Sequence, residues 1–487
     1  MPECLDRLAI KDAPAVFGHE DQMNVHCKHT VSTVSKVIAL RHRPDHNASM
    51  ERRQAFKFEL MPNGEQRRNM RKFFGCKRVI YNQALAINEE MYRLMGRRHT
   101  RYQLDKLITE WKKETPWLWE APAHCLQQAL VDLERAYTRF FAAVKKGLRI
   151  APKDQQLRKT LRKRGVPLAY PPTFKKKGQH DSFRESDPKG IKLDQNGSRI
   201  QLPKLGWIRY RNSREVLGEV KNVTVSESCG KFFVSLQTER EVEIANHPSS
   251  SDVGIDMGVV VFATMSDGST SIMPDTPRLE RRKRFLQRRL KNKSKFSANG
   301  KKLQQRIKKI DKRISNIRDN HRHQFTNTIT KSHGIVYGDD LEIKNMTKSA
   351  KGTAENPGKN VRQKARLNRS MQAQGIGEVN RQLKYKSEWR GGMFIACPSA
   401  YGSQHCPSCG CTTKQNRQTQ ELFRCVNPNC QFTANADWVA ARNKLEAGRA
   451  FVACGEFPSW TRLGAFGTNS VKQEPTEGFP CASVSSL

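Results

Sequence analysis

The sequence predicts a multidomain α/β protein: a β-barrel segment interrupted by a block of helices, then an α/β segment carrying a basic helical hairpin and a cysteine-rich ribbon. Three observations lead there. The apolar period switches from alternation to helical spacing near Gly64, and back to alternation after residue 180. Buried-strand patterns at Val253 and Gly334 are separated by a long helical stretch, as in layered α/β domains. At 487 residues the chain is long enough for about two to four domains.

In chain order, residues 1–49 show no clear periodicity. They form either a leader of uncertain order or a stretch upstream of a true start at Met50. From Arg52 the run Arg-Arg-Gln-Ala-Phe-Lys-Phe-Glu-Leu-Met-Pro alternates as a strand does. From Gly64 to about Lys146, Phe73, Val79, Ile80 and Leu85, then Leu126, Leu130, Leu133, Tyr137 and Phe140, mark helix faces, with Pro116 and Pro122 as breaks. Residues 151–180 are a Lys/Arg/Pro-rich connector that includes Phe174-Lys-Lys-Lys177. Residues 181–243 contain short alternating runs at Val223 and Phe232, the antiparallel strands of a small barrel.

Val253-Gly-Ile-Asp-Met-Gly-Val-Val-Val-Phe-Ala-Thr predicts a buried strand and hairpin. In the basic stretch 278–331, Leu303, Ile307, Ile310, Ile314 and Ile317 recur at four- and three-residue steps. That seam joins two helical arms broken at Phe296-Ser-Ala-Asn-Gly300. Gly334-Ile-Val-Tyr-Gly-Asp-Asp-Leu predicts a second core strand. A Lys/Gly/Asn-rich loop from Lys344 to about Arg369 follows, then a helix carrying Leu383 and Trp389. A short helix starts near Asn435 or Asp437, and a disordered tail begins near Gly455.

The chain has 87 Lys+Arg against 47 Asp+Glu, a net charge of +40. An excess of that size, recurring in every segment after residue 50, suits neutralisation of nucleic-acid phosphates. No apolar run approaches the roughly 20 residues of a transmembrane helix. The amino terminus lacks the basic and apolar regions of a signal peptide. The thirteen cysteines are scattered apart from one cluster, a pattern for a reducing cytosol with a single metal site.

That cluster is Cys406-Pro-Ser-Cys409, then fifteen intervening residues, then Cys425-Val-Asn-Pro-Asn-Cys430. Two close pairs separated by a hairpin's length of chain predict a zinc ribbon with a closed, structural Cys4 site. Cys411 and His405 stand near enough to substitute. Three carboxylate positions complete the chemistry. Asp256 lies on one apolar strand, the pair Asp339-Asp340 follows a second, and Asp437 opens a helix. Singly, each is an ordinary strand-end or helix-cap residue. In that order in so basic a chain, they match the needs of an RNase H-like site, where strand and helix carboxylates converge on two Mg2+ ions.

At this point the sequence resembles the TnpB family, transposon-encoded relatives of the small type V CRISPR nucleases, from about Arg53 to Gly448. The resemblance rests on Phe56-Lys-Phe-Glu-Leu-Met-Pro, Gly75-Cys-Lys-Arg-Val-Ile-Tyr-Asn, Pro116-Trp-Leu, Leu126-Gln-Gln-Ala-Leu and Leu202-Pro-Lys-Leu-Gly-Trp. It continues in Gly254-Ile-Asp-Met-Gly, Arg381-Gln-Leu-Lys-Tyr-Lys, the cysteine pairs and Asp437-x-x-Ala-Ala-Arg-Asn. It implies an RNA-guided DNA endonuclease that takes a guide RNA from its element and a double-stranded target beside a short flanking motif. It also implies an RNase H-like (RuvC) domain in which Asp256, Asp339 and Asp437 hold Mg2+. Where the family usually has Glu, this chain has Asp339, shorter by roughly 1.5 Å. A guided binder that no longer cuts is therefore the alternative. A strand-joining transposase would need a Tyr or His nucleophile set, and no Tyr here lies in a His-hydrophobic-His context.

The implied layout is an extension over 1–49, a first barrel strand over 50–64, helical recognition over 65–150 and connector plus barrel over 151–250. The RuvC-like part follows over 251–395 with its hairpin at 278–331, then the ribbon over 396–434, the last RuvC helix over 435–452 and a tail over 453–487. Gln127 resembles a family position near target bases and can pair bidentately with adenine. Tyr102 and His124 are further candidates. Lys175, Lys176 and Lys177, with the basic residues of 281–313, are expected on guide or heteroduplex phosphates. The expected location is the cytoplasm of a prokaryotic cell, at the nucleoid.

Overall fold

A computed structural model describes residues 49–152, 154–163, 166–243, 246–352, 356–455, 457–458 and 461. Most of the amino-terminal extension and of the tail expected from the sequence thus lies outside the described residues.

The first strand, β1 (Ser49–Met61), buries Phe56, Phe58 and Leu60 on one face, as its alternation requires. Asn63 and Gln66 then form a capping box that starts α1 (Gly64–Met95), and left-handed Gly96 ends it. Helix α2 (Arg101–Glu114), a 3₁₀ turn at Pro116–Glu120 and α3 (Ala123–Lys145) complete the helical block, with both predicted proline breaks in place. The connector holds a two-residue parallel pair, β2 (Arg149–Ile150) with β3 (Leu168–Ala169), and a helix between them, α4 (Gln155–Lys163).

Six more strands follow: β4 (Ser182–Glu185), β5 (Lys192–Asp194), β6 (Arg199–Leu202), β7 (Gly206–Tyr210), β8 (Glu219–Ser228) and β9 (Lys231–Glu243). With β1 they form one antiparallel sheet in the order β4-β8-β9-β1-β7-β6-β5. The expected barrel does not close through its ladder: β4 and β5 are unpaired edges among the described residues. The inserted helices pack on this sheet. Phe73 and Phe74 of α1 pack against Phe183 of β4, and Phe74 also stacks on Phe232 of β9. Helix and strand side chains share one apolar cluster there.

The second half is a five-stranded mixed sheet: β10 (Asp252–Asp256), β11 (Ala263–Met265), β12 (Thr270–Ser271), β13 (Ile335–Asp339) and β14 (Met393–Cys397), in the order β12-β11-β10-β13-β14. The first three strands run antiparallel, and β13 and β14 lie parallel on the other side of β10. This order is consistent with an RNase H-like α/β domain.

Between β12 and β13 stands the hairpin of α5 (Pro277–Lys291) and α6 (Ala298–Ser332). Leu303, Ile307, Ile310 and Ile314 form a buried seam with Leu286 across the arms; Ile317 lies at its half-buried end. The expected loop from Lys344 to Arg369 is only partly a loop. A short turn of helix, α7 (Ile343–Met346), and a longer helix, α8 (Val361–Gln374), occupy its ends. Left-handed Gly375 then separates α8 from α9 (Ile376–Trp389). Helix α8 escapes the periodicity because only Met371 and Gln374 are buried. After the ribbon, whose strands are β15 (Leu422–Arg424) and β16 (Thr433–Asn435), the last helix α10 (Ala436–Cys454) lies across β10 and β13.

Candidate active site and metal centre

Two glycines set the distance from α10 to the sheet. A Cβ on Gly254 of β10 would lie 2.1 Å from the Ala441 carbonyl oxygen, and one on Gly448 of α10 would lie 2.0 Å from the Tyr337 ring of β13. Helix and sheet approach so closely only because neither position has a side chain. Charges then pin both ends of β10 to the same helix. Arg449 makes a bidentate pair with Asp252, at 2.8 and 2.7 Å, and Lys444 bonds Asp256.

This geometry gathers Asp256, Asp339 and Asp437. Asp256 and Asp339 end the neighbouring parallel strands β10 and β13. Asp437 is in the first turn of α10, where the Asn435 side chain caps by accepting from the Asp437 and Trp438 amides. The Lys444 ammonium donates to Oδ1 of Asp256 and, at 2.6 Å, to Oδ1 of Asp339. Ser399 Oγ donates to the same Asp339 oxygen at 3.0 Å, and Arg417 Nη2 to Asp437 Oδ1 at 3.3 Å.

The electrostatics follow from crowding. Burial pushes the Asp339 carboxyl up, Lys444 pulls it back, and the nearby Asp256 adds to the rise. Asp437 is likewise raised, first by burial and then by Asp256, with Arg417 opposing. Burial alone would lower the Lys444 ammonium, but the Asp256 and Asp339 charges more than offset this and hold it above its ordinary value. Asp256 thus lies within electrostatic reach of both Asp339 and Asp437, with two protein cations among the three, although among the described residues their oxygens do not close to the spacing that the four cysteine sulfurs show. An all-oxygen donor set with surplus negative charge fits a hard divalent cation. A cavity of about 380 Å³, lined by Val260, Thr264, Glu421, Asn435, Asp437 and Trp438 among others, opens beside Asp437.

The ribbon adjoins this site. The ligand atoms of Cys406, Cys409, Cys425 and Cys430 all lie within 4.8 Å of one another. The sulfur pairs Cys406–Cys430 and Cys409–Cys425 are 3.7 and 3.5 Å apart. That is too long for a disulfide and near the roughly 3.8 Å edge of a tetrahedron with Zn–S of about 2.3 Å. The four thiols can hold a zinc ion. Of the substitutes, His405 Nδ1 instead meets Thr412 Oγ1 at 2.7 Å, and Cys411 stands outside the four. Asn443 of α10 donates to the carbonyls of Gly402 and His405, at 2.7 and 2.8 Å, tying ribbon to helix.

The remaining candidates lie in the other half. Gln127 is exposed on α3. His124, one turn before it, is already engaged: its Nδ1 lies 2.8 Å from Oε1 of buried Glu185 on β4. Tyr102 is 70% exposed on α2, with the Lys106 ammonium over its ring. Lys175 is half-buried, its ammonium 3.9 Å from the Tyr81 ring centroid and 3.5 Å from Asp132 Oδ2; Lys176 and Lys177 are exposed. Lys175 and Lys176 line a cleft of about 660 Å³ between α1, α3 and the connector. Sequence reasoning missed Lys444, Asn443, Ser399 and Arg417. The one available signal was the seven-residue offset of Lys444 from Asp437, which returns it to nearly the same helix face.

Residues 235–350 match the family described as "Probable transposase", residues 377–444 that described as "Cas12f1-like, TNB domain", and residues 50–97, here β1 and α1, that described as "Helix-turn-helix domain". The chain is 47% identical over 436 residues to "Putative RNA-guided DNA endonuclease InsQ" of Escherichia coli (strain K12), covering 88% of this chain and 98% of that protein. It is 30% identical over 437 residues to a "Putative RNA-guided DNA endonuclease" of Streptomyces pristinaespiralis, with the same shares covered. Among solved structures, the mini-RNA-guided endonuclease CRISPR-Cas phi3 matches 90% of this chain and 97% of its own at 9% identity, but a TM-score of 0.41 is too low to argue from. Among the described residues no helix is long and apolar enough to cross a membrane. Identity of nearly half the aligned residues, across almost the whole of a relative, shows that the chain belongs to the TnpB family.

Proposed function

We propose that this protein is an RNA-guided DNA endonuclease that hydrolyses phosphodiesters at Asp256, Asp339 and Asp437. The observation that carries this reading is the convergence of the three carboxylates from β10, β13 and α10, with charge left to neutralise. Bound Mg2+ would supply Lewis-acid stabilisation of the attacking and leaving oxygens. The chain's own residues fix the acceptors: Ser399 orients Asp339, and Arg417 holds Asp437 against the ribbon. Zinc at the four cysteines keeps that ribbon folded and takes no part in the chemistry.

Guide RNA and target duplex are the partners, the +40 charge supplying phosphate contacts. Gln127 and Tyr102, exposed on the helical block, are proposed to read the flanking motif. His124 is assigned the lesser share because Glu185 engages its ring. Lys175 and Lys176, which line the cleft, and the exposed Lys177 next to them are proposed to hold backbone phosphates. The proposed location is the prokaryotic cytoplasm, at the nucleoid.

The test is cleavage of a target library by the chain purified with the transcript of its own flanking DNA, in Mg2+. Asp256→Ala is expected to lose well over the roughly hundredfold that removal of a residue supporting a metal ligand typically costs. Cleavage equal to the parent's would sink the assignment. A second reading, a guided binder that does not cut, is favoured by one observation: the short Asp339 carboxylate is already paired with Lys444. Under that reading Asp339→Glu switches cleavage on, and equal rates before and after remove it.

A further inference from the structure

Lys444 is a buried cation in an unusual place. Its side chain is 4% exposed, on the buried side of a helix that also holds Ala440, Ala441, Asn443, Ala447 and Gly448. Its ammonium touches both strand carboxylates of the candidate metal site, while Asp437 has a separate partner in Arg417. A buried charge of this kind is costly unless fully paired, and removing one partner of a buried ion cluster leaves the others uncompensated. What the lysine supplies is a positive charge between two carboxylates that must otherwise repel.

We propose that Lys444 is a built-in counter-cation of the Asp256–Asp339 pair. It holds the two carboxylates together before a divalent ion binds, and it withdraws from Asp339 when one does. This rests on the reading of Asp256, Asp339 and Asp437 as a metal site. Ammonium and metal compete for the same oxygens, because two cations cannot share them at contact distance without strong repulsion. The site is therefore preformed without metal and tuned to weak metal affinity. The short Asp339 side chain fits this role: its carboxylate meets the ammonium at 2.6 Å, in hydrogen-bond contact, with Ser399 on the same oxygen.

The experiment uses the full chain and Mn2+ as probe, titrated by calorimetry and by the spin signal of free Mn2+, in the parent, Lys444→Met and Asp256→Ala. Lys444→Met is expected to bind Mn2+ on the order of tenfold tighter than the parent. It should also melt lower than the parent in chelator, with the deficit closing at saturating Mn2+. Equal affinity in parent and Lys444→Met, with binding abolished by Asp256→Ala, would overturn the competition and leave the metal site standing. No binding above the Asp256→Ala level in either would overturn both. Should Lys444→Met not fold, the parent decides alone. Crystals soaked in Mn2+ are expected to show the ion at the carboxylates and the Lys444 ammonium out of reach of Asp339. An ammonium still bonded to both carboxylates beside the ion would refute the proposal.

Discussion

Gly254 of β10 faces the Ala441 carbonyl of α10 across a gap that no side chain can enter: an added Cβ would lie 2.1 Å from that oxygen and 2.8 Å from the Leu445 amide nitrogen. Both neighbours are backbone, so neither can rotate away. Gly254→Ala must push helix from strand, which separates Asp256 from Lys444 and Asp437. Overpacking of this kind costs about 1–3 kcal/mol. The expected outcome is a lower denaturant midpoint and weaker Mn2+ binding together. Gly402→Ala, where an added Cβ meets nothing within 4 Å, is the matched control and should change neither.

The ribbon is joined to the carboxylates by side chains, so metal removal there should be felt at Asp437. Arg417, which donates to Asp437, sits between the two cysteine pairs, and the Ala436 amide at the start of α10 donates to the Glu421 carbonyl of the ribbon. The purified chain is expected to carry one zinc, measured by atomic absorption, and Cys409→Ser to lose it. Because a Cys4 ribbon of this size has little apolar core of its own, zinc loss should unfold it. Limited trypsin digestion should then cut between residues 398 and 434 in Cys409→Ser and spare the parent.

Legibility in the sequence depended on how local each signal was. The zinc cysteines could be read because ligand spacing is a property of two short turns. The seam of Leu303, Ile307, Ile310 and Ile314 could be read because helical period survives any tertiary context. The apolar runs placed Asp256 and the Asp339-Asp340 pair at strands, and the family pattern then singled out Asp339, the last residue of β13. Helix α8 was lost because a helix that buries two residues has almost no period to read. Lys444 was lost for a different reason. A lysine on a helix reads as solvent-facing, and only the tertiary approach allowed by Gly254 and Gly448 turns it inward.

The hairpin of α5 and α6 buries its own cluster, Leu286, Leu303, Ile307, Ile310 and Ile314, distinct from the apolar cluster around β10 and β13. Its outer part should therefore open as a unit. Ile310→Ala removes a core contact worth about 2–5 kcal/mol. Hydrogen exchange is expected to accelerate over residues 279–314 while β10, β13 and α10 keep their protection. Equal acceleration in the sheet would mean that the hairpin is not an independent unit.

Lys386 gives a pH dependence whose direction can be worked out. It lies on α9, where its ammonium donates to the His323 carbonyl at 2.8 Å and to Thr326 Oγ1 at 2.7 Å, both on α6. Burial, then the charge of Arg390, lowers it to about 8, against about 10.4 in an unfolded chain. Between those values the unfolded chain binds more protons, so stability must rise with pH across that window. Below pH 8 both states are charged and the folded state carries the full penalty; above about 10.4 the penalty is gone. The whole shift corresponds to about 3 kcal/mol. Residual solvent contact screens the charge and brings the expected gain to about 1–2 kcal/mol. Lys386→Met removes the titrating group, so the parent should gain stability relative to Lys386→Met from pH 8 to pH 10 in denaturant titrations. A constant difference across that range would show that the ammonium is not destabilised where it sits.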